Sequence, residues 1–332
     1  MSEQRRGFLL GAAAYIMWGL FPLFWPLLEP ATPKEILAHR IGWTLVAVVA
    51  LLVARRRIGS LRRLVADRRA LVALLVASVT IACNWFTYIW GVNNGHVVET
   101  SLGYFINPLV TVLMGVVLLG ERLRTAQWVA LGIAAAAVVW LTVDYGRPPW
   151  IALVLAFSFG TYGLAKKKAG AGAIEGLTVE TVVLVPVALV YLGLLHSAGD
   201  GSFGANGWLH ALLLASTGIV TAIPLLCFGA AATRIPLSTI GLLQYLAPTL
   251  QFAVGVLILR EDMTAARWGG FALVWVALVV FTVEAVRHHR RVLRTAAWAA
   301  GPAAQPAGSF VTGRPRADRF GAGAPRDVRR SE

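Results

Sequence analysis

The chain has 332 residues, of which 58% are hydrophobic and only 14% are charged, and its net charge is +14. A soluble domain carries about a quarter charged residues, so the composition excludes an ordinary soluble domain. The basic residues lie in short loops between apolar runs and in a C-terminal tail, which excludes a nucleic-acid-binding face. Both cysteines lie inside apolar segments, so neither a disulfide framework nor a metal-binding spacing is expected.

The apolar residues occur in runs of about 20, the length that an α-helix needs to cross the hydrocarbon layer of a membrane. Ten such runs predict an all-α polytopic membrane protein with ten transmembrane helices. In chain order the predicted spans are 7–28, 35–54, 70–90, 97–119, 125–143, 149–165, 177–195, 208–231, 236–259 and 265–286. The breaks near 93–96 and 233–236 are short, so a count of nine is the alternative.

The N-terminal apolar run has two interpretations. Arg5 and Arg6 precede it, as in a twin-arginine export signal. No small-x-small cleavage site follows, however, and the run contains Trp18, Pro22 and Trp25. We therefore interpret it as a first membrane span that follows a cytoplasmic N-terminus.

The distribution of lysine and arginine predicts the orientation. With residues 1–6 in the cytoplasm, the arginine-rich loop 55–69 and the lysines at 166–168 also fall inside, as the positive-inside rule expects. The basic tail at 287–332 then also lies inside, so both termini are predicted to be cytoplasmic in a multi-pass protein of the cell (inner) membrane. This tail lacks the apolar surface needed to fold and is predicted to be disordered.

The second half of the chain repeats the first. An offset of 140 positions places Pro248 on Pro108, Glu261 on Glu121 and Trp268 on Trp128 without a gap. Each half, 7–143 and 150–286, then contains five predicted spans. Because five is an odd number, the second half enters the membrane inverted, which is the plan of many secondary transporters.

Signatures of enzymes are missing from the sequence. It contains no G-x-x-x-x-G-K-[ST] phosphate loop, no H-E-x-x-H and no G-x-S-x-G, and its six histidines form no cluster. We therefore expect no metal and no cofactor. A membrane enzyme that acts on a lipid-linked substrate and a non-transporting scaffold remain the alternatives to a transporter.

Polar residues at fixed places within the apolar spans carry a resemblance to a known family. The segments are AAYIMWGLFP at 13–22, EILAHR at 35–40, Asn84-Trp85 with Tyr88, ETSLGYFINP at 99–108 and GLLQYLAP at 241–248. The sequence resembles the drug/metabolite transporter superfamily in its EamA-domain branch, and more closely the RarD-type permeases, over residues 7 to 286. The resemblance implies ten helices in two inverted halves and export or exchange of small organic molecules. It does not supply the substrate.

Arg40 and Glu180 are counterparts in the two halves, since the same offset of 140 relates them. Polar groups are costly in hydrocarbon, so each is a candidate for the substrate pathway. We expect both to face a central cavity, where Arg40 is a fixed cation and Glu180 is a carboxylate able to carry a proton. The alternative is that each anchors the end of a span at the membrane interface.

A second group of candidates surrounds two repeat-related prolines. Its members are Glu99, Tyr104 and Asn107 before Pro108, and Gln244, Tyr245 and Gln251 around Pro248. Matched proline-interrupted spans are a good indication of a transporter's site, so we predict that these residues line the pathway and that the prolines kink their helices. The alternative is that the prolines bend helices for packing while the amides bond between helices.

Aromatic residues form the third group. Asn84, Trp85 and Tyr88 can share one face of the third span, and Tyr15 and Trp18 lie on the first. Aromatic rings with one amide suit an amphipathic or cationic ligand. Core packing is the alternative, and it is favoured for Tyr15 and Trp85.

Two further patterns are interpreted as structural. Glu121 and Glu261 are expected to cap helix starts or to pair with arginine at span ends. The G-x-x-x-G patterns at 7–11 and 91–95 are compatible with a homodimer and equally with close packing inside one chain.

Overall fold

The computed structural model of the chain describes residues 2–56, 58–120, 122–235 and 237–299, and these residues form helices joined by short loops. The helices are α1 (Glu3–Gly19), α2 (Pro33–Ala54), α3 (Ile58–Ala66), α4 (Arg68–Asn93), α5 (Val97–Leu119), α6 (Thr125–Tyr145), α7 (Trp150–Ala169), α8 (Ala173–Ser197), α9 (Gly207–Ala232), α10 (Leu237–Leu243), α11 (Leu246–Ala253) and α12 (Ala265–Ala299). Two 3-10 turns, Phe21–Leu23 and Trp25–Leu28, join α1 to α2.

Nine helical segments within the described ranges are long and apolar enough to cross a membrane, and one of them, Thr239–Ile258, combines most of α10 with α11 and the turn that follows. The prediction of an all-α polytopic membrane protein is therefore confirmed, with nine candidate spans in this part of the chain where ten were predicted. The difference lies at the predicted span 149–165. That segment forms α7. Because the last turn of α7 contains Lys166, Lys167 and Lys168, this helix is less apolar than the other spans.

The two repeat-related prolines have different local structures. α5 continues through Pro108 without a break. The corresponding segment of the second half is divided into α10 and α11, with Gln244 and Tyr245 between them and a π-helical turn, Val254–Ile258, after them. Pro248 lies in the first turn of α11, where its missing N–H leaves no hydrogen bond unmade.

The ends of the predicted spans also differ from the observed helices. The basic loop predicted at 55–69 contains the short helix α3, and the N-terminus of α4 is capped by Asp67, which accepts from two backbone N–H groups. α12 continues beyond 286 as far as Ala299, so the first part of the predicted tail is helical. The remainder of the tail, 300–332, lies outside the described residues.

Close helix packing positions the interior polar side chains. α7 packs against α4 and α5, and α2 packs against α8 and α9. A side chain at Gly218 of α9 would collide with the backbone of α2 at Trp43, so only glycine permits this approach. The contact brings Thr221, one turn further along α9, against the buried face of α2.

Three of the four glycines in the G-x-x-x-G patterns pack closely inside the chain, whereas a side chain at Gly95 would have no neighbour within 4 Å. Gly7 and Gly11 lie against Ile235 and Leu243, and Gly91 lies against Thr100. Side chains at these glycines would collide with those neighbours. These glycine faces are therefore already occupied, and they do not support the predicted option of a homodimer.

α6 and α12 are counterparts in the repeat and pack in antiparallel directions. An ion pair at one end joins Arg124 to Glu284, with a nitrogen–oxygen distance of 3.1 Å. At the other end Arg267 contacts Asp144, also at 3.1 Å. The offset of 140 relates Asp144 to Glu284, so the two acids occupy the same place in their repeats.

Candidate functional site

Arg40 is held inside the protein by the start of α2. Thr32 caps this helix by accepting a hydrogen bond from the Glu35 N–H, and Pro33 occupies its first turn. Arg40 follows on the face that packs against α9, and only 4% of it is exposed. Its Nε donates to the Thr221 hydroxyl at 3.0 Å.

Aromatic rings surround the Arg40 guanidinium. Its central carbon lies 4.1 Å from the centroid of the Trp85 ring and 4.9 Å from that of Trp25, with Phe21 at 5.9 Å. Cation–π contacts of this kind stabilise a desolvated cation. Within the described residues no carboxylate forms an ion pair with Arg40, and its buried Nη1 has no hydrogen-bond partner.

Tyr88 and Tyr104 lie near this cation, and Asn84 is bonded to Tyr104. The Tyr88 ring contacts the Tyr104 ring edge-on at 5.6 Å, and both rings belong to the apolar cluster that contains Phe21 and Trp25. Tyr104 donates to the Asn84 Oδ1 at 3.1 Å, while the Asn84 amide donates to the Leu155 carbonyl and to the Ser158 hydroxyl. Asn84 therefore joins α4, α5 and α7, whereas the buried Tyr88 hydroxyl has no partner.

Glu180, the counterpart of Arg40, is fully buried and paired. Its Oε1 accepts from the Lys166 Nζ at 2.7 Å, and its Oε2 accepts from the Tyr162 hydroxyl at 3.3 Å. Lys166 is assigned to a cytoplasmic loop by the sequence, but it lies in the last turn of α7. Arg40 and Glu180 do not contact each other, and both are too deeply buried to be the exposed interfacial anchors considered above.

A row of aromatic rings connects the surroundings of these two charges. Tyr104 contacts Phe159 at 6.1 Å between ring centroids, and Phe159 contacts Tyr162 at 5.9 Å. Phe159 is 37% exposed although its helix, α7, packs between α4 and α5. Phe159, Lys166 and Tyr162 were not recognised as candidates from the sequence, because single aromatic or basic residues in apolar runs give no signal of position.

Most of the other predicted residues lie in α1, in α11 or in the break before α11. The Gln251 amide donates to the Trp18 carbonyl at 3.1 Å, which ties α11 to α1, and the Trp18 ring packs against Tyr15 and Phe228. The Gln251 Oε1 and the Asn107 Oδ1 are buried without partners. Gln244 and Tyr245 form the break between α10 and α11.

Glu99 lies apart from the Arg40 cluster and holds a loop. It accepts from Arg147 at 2.8 and 3.2 Å and from the Ile151 N–H at 3.1 Å, so it caps the start of α7. The hydrogen bond to Glu99 raises the pKa of Arg147. Glu99 is therefore fully engaged at the end of the bundle.

Glu261 has the capping role that the sequence predicted. It accepts from the Val97 and Val98 N–H groups, which are the first donors of α5. Its predicted counterpart, Glu121, lies outside the described residues. Glu261 and Glu99 belong to a charged cleft of about 310 Å³, which is lined by Gly95, His96, Val98, Glu99, Tyr145, Arg147, Glu261, Asp262 and Arg267.

Comparisons with known proteins agree with this architecture. A profile of the EamA-like transporter family matches residues 5–143 and 148–283. "Protein RarD" of Streptomyces exfoliatus is 58% identical, over 87% of this chain and 92% of that protein. "Uncharacterized transporter YojE" of Bacillus subtilis is 44% identical, over 87% of this chain and 97% of that protein. "Protein RarD" of Escherichia coli is 43% identical, over 87% of this chain and 98% of that protein.

A solved crystal structure has the same fold. It is 20% identical in sequence, covers 85% of this chain and 99% of its own, and superimposes with a TM-score of 0.55. At this level of identity the similarity concerns the fold alone.

Proposed function

The chain belongs to the EamA-like transporter family, and on that premise we propose that it is a secondary transporter that moves a small organic molecule across the cytoplasmic membrane by alternating access. Two inverted halves, 7–143 and 150–286, each contribute five spans, and both termini lie in the cytoplasm. In this arrangement α7 also crosses the membrane, which brings the nine candidate spans to ten. Transport runs as export or as exchange.

The contacts between repeat-related helices support the inverted arrangement. α6 and α12 pair head to tail, with Asp144 and Glu284 each bound to an arginine at opposite ends. A second related pair behaves alike: Glu35 accepts from Ser202 in the α8–α9 loop, and Glu175 accepts from Ser60 in α3. Such reciprocal contacts are expected of two equivalent units related by a two-fold axis in the membrane plane.

The single observation that carries the proposal is the position of Arg40. A buried cation with an unpartnered N–H, surrounded by rings from three segments of the chain, is expensive to maintain in a membrane protein. A non-transporting scaffold gains nothing from it. An enzyme would need acid–base or nucleophilic groups around it, whereas the four buried acids of the described residues are engaged in hydrogen bonds of their own.

Reconstitution tests the transport proposal. The full-length protein is placed in liposomes with a panel of metabolites, with and without a pH gradient, beside protein-free liposomes. Accumulation of at least one compound above the protein-free control supports transport. If folded protein moves no compound under either condition, a scaffold is favoured instead.

The topology has its own test. Cys83 and Cys227 are replaced by serine, and single cysteines are introduced as Pro148→Cys and Lys168→Cys, one at each end of α7. We expect a membrane-impermeant thiol reagent to label the first from outside the cell and the second only after permeabilisation. Labelling of both from the same side would contradict ten crossings.

A further inference from the structure

The Arg40 site is a buried positive charge without a counter-ion. The four buried acids of the described residues are each engaged elsewhere: Glu35 with Ser202, Glu99 with Arg147, Glu175 with Ser60, and Glu180 with Lys166. Buried charges in proteins are normally paired. The missing partner must therefore come from outside this part of the chain.

Three of the unsatisfied groups near the charge can donate hydrogen bonds. Arg40 Nη1, the Tyr88 hydroxyl and the Trp25 indole Nε1 are all buried, and none has a partner. An arginine and an indole can only donate, and a phenol can donate. A site that offers a positive charge and several free donors is complementary to an anion.

The aromatic rings fix how an anion would bind. Trp85 and Trp25 cover the guanidinium, so the free N–H groups at its edge are the ones left to bind a ligand. A planar guanidinium recognises carboxylate and phosphate through this edge. Because these two ring faces already contact the chain's own cation, they do not serve the cationic ligand considered from the sequence.

The row of rings next to the site offers an apolar surface. Tyr104, Phe159 and Tyr162 continue from Tyr88 towards Glu180, and Phe159 is partly exposed. We infer that the transported molecule is a small organic anion whose acidic group binds Arg40 and whose apolar body lies against these rings. This inference rests on the proposed transport function and names the substrate class.

A charge series of matched ligands tests the inference. Purified full-length protein is heated with benzoate, phenylacetate, indole-3-acetate or phenyl phosphate, and with the amides and amines that correspond to the three carboxylates. We expect at least one acid to raise the melting temperature by several degrees, its amide and amine to have no effect, and Arg40→Met to lose the response. Stabilisation by carboxylates alone, or by phenyl phosphate alone, distinguishes the two acidic groups.

The variant also separates a ligand site from a structural contact. Methionine can stack on Trp85 and Trp25 without charge, so Arg40→Met should melt at or above the wild-type temperature. Lys166→Met, which removes a paired lysine, should melt lower and serves as the control. The inference is overturned if the melting temperature of Arg40→Met falls as far as that of Lys166→Met. It is also overturned if amides or amines stabilise the protein as much as the acids do, or if none of the acids stabilises it.

Flux of the same compounds distinguishes failure of the inference from failure of the proposed function. In liposomes containing the wild-type protein, uptake of acids that Arg40→Met abolishes supports both. Uptake of amides or amines in place of acids keeps the transport function and overturns the anionic substrate. Absence of any flux with folded protein overturns the transport function and this inference with it.

Discussion

Arg40 and Glu180 occupy the same place in their two repeats, yet their surroundings are opposite. Glu180 is neutralised by Lys166 and bonded to Tyr162, whereas Arg40 is held by rings and by one hydroxyl. Duplication of a fold thus preserves the position of a buried charge without preserving its pairing. Among the described residues, the buried charge of the first repeat, Arg40, has no ion-pair partner, whereas the buried charge of the second repeat, Glu180, is paired with Lys166 of the same repeat.

Breaking the pair in the second repeat should have the largest effect. Lys166→Met leaves Glu180 buried without its cation, and removal of one partner from such a pair costs about 2–4 kcal/mol of folding free energy, with Lys166 itself partly exposed. Thermal unfolding in detergent should show a drop of several degrees. The double variant with Glu180→Gln should recover most of it, and a double variant as unstable as the single one would mean that the pair is not coupled.

Glu99 is a buried acid of the first repeat that does have a cationic partner, Arg147, so it can be compared with the pair in the second repeat. Arg147→Met should lower stability by about 1–2 kcal/mol, because a buried carboxylate loses two charge-assisted bonds but keeps the Ile151 N–H. The measurement is thermal unfolding. Transport should be retained, since Glu99 does not contact Arg40; complete loss of transport with unchanged stability would place Glu99 in the pathway.

The ring row between the two charges can be shortened at its exposed member. Phe159→Ala should raise the substrate KM about threefold to tenfold, because a ring that covers an apolar ligand contributes about 1 kcal/mol. The change should leave the melting temperature nearly unaltered, since Phe159 is partly exposed. Phe157→Ala, on the same helix and similarly exposed, is the matched control. An equal effect in both variants would contradict a specific role for the row.

The smallest effects are expected at the ends of α6 and α12. Asp144→Asn and Glu284→Gln each weaken one partly exposed ion pair, worth about 0.5–1 kcal/mol. Thermal unfolding at low and high salt should show similar small losses that salt reduces. A large loss in only one of them would argue against equivalent roles for the two ends.

Much of this architecture could be predicted from the sequence. The offset of 140 identified Arg40 and Glu180 as counterparts. The apolar runs of the sequence also predicted the nine candidate membrane spans that the described residues form. The partners of the two charges could not be predicted, because they lie on other helices. Thr221 is 181 positions from Arg40, and Lys166 was hidden in a run of three lysines.

Local structure around the prolines was also beyond the sequence. Pro108 and Pro248 align in the repeat, but α5 continues through the first, whereas the chain breaks before the second. Which outcome a proline produces depends on whether neighbouring helices satisfy the freed backbone groups. The roles predicted for these prolines and for Asn107, Gln244, Tyr245 and Gln251 remain predictions.

The most direct test of the account is the transport and melting temperature of Arg40→Met measured on the same preparation. Removal of a group that binds a buried ligand charge costs at least about 2 kcal/mol, so transport should fall at least about thirtyfold. The melting temperature should be unchanged or higher, because an unpaired buried charge has been removed. A variant that melts several degrees lower and still transports would show that Arg40 stabilises the fold and does not bind the substrate.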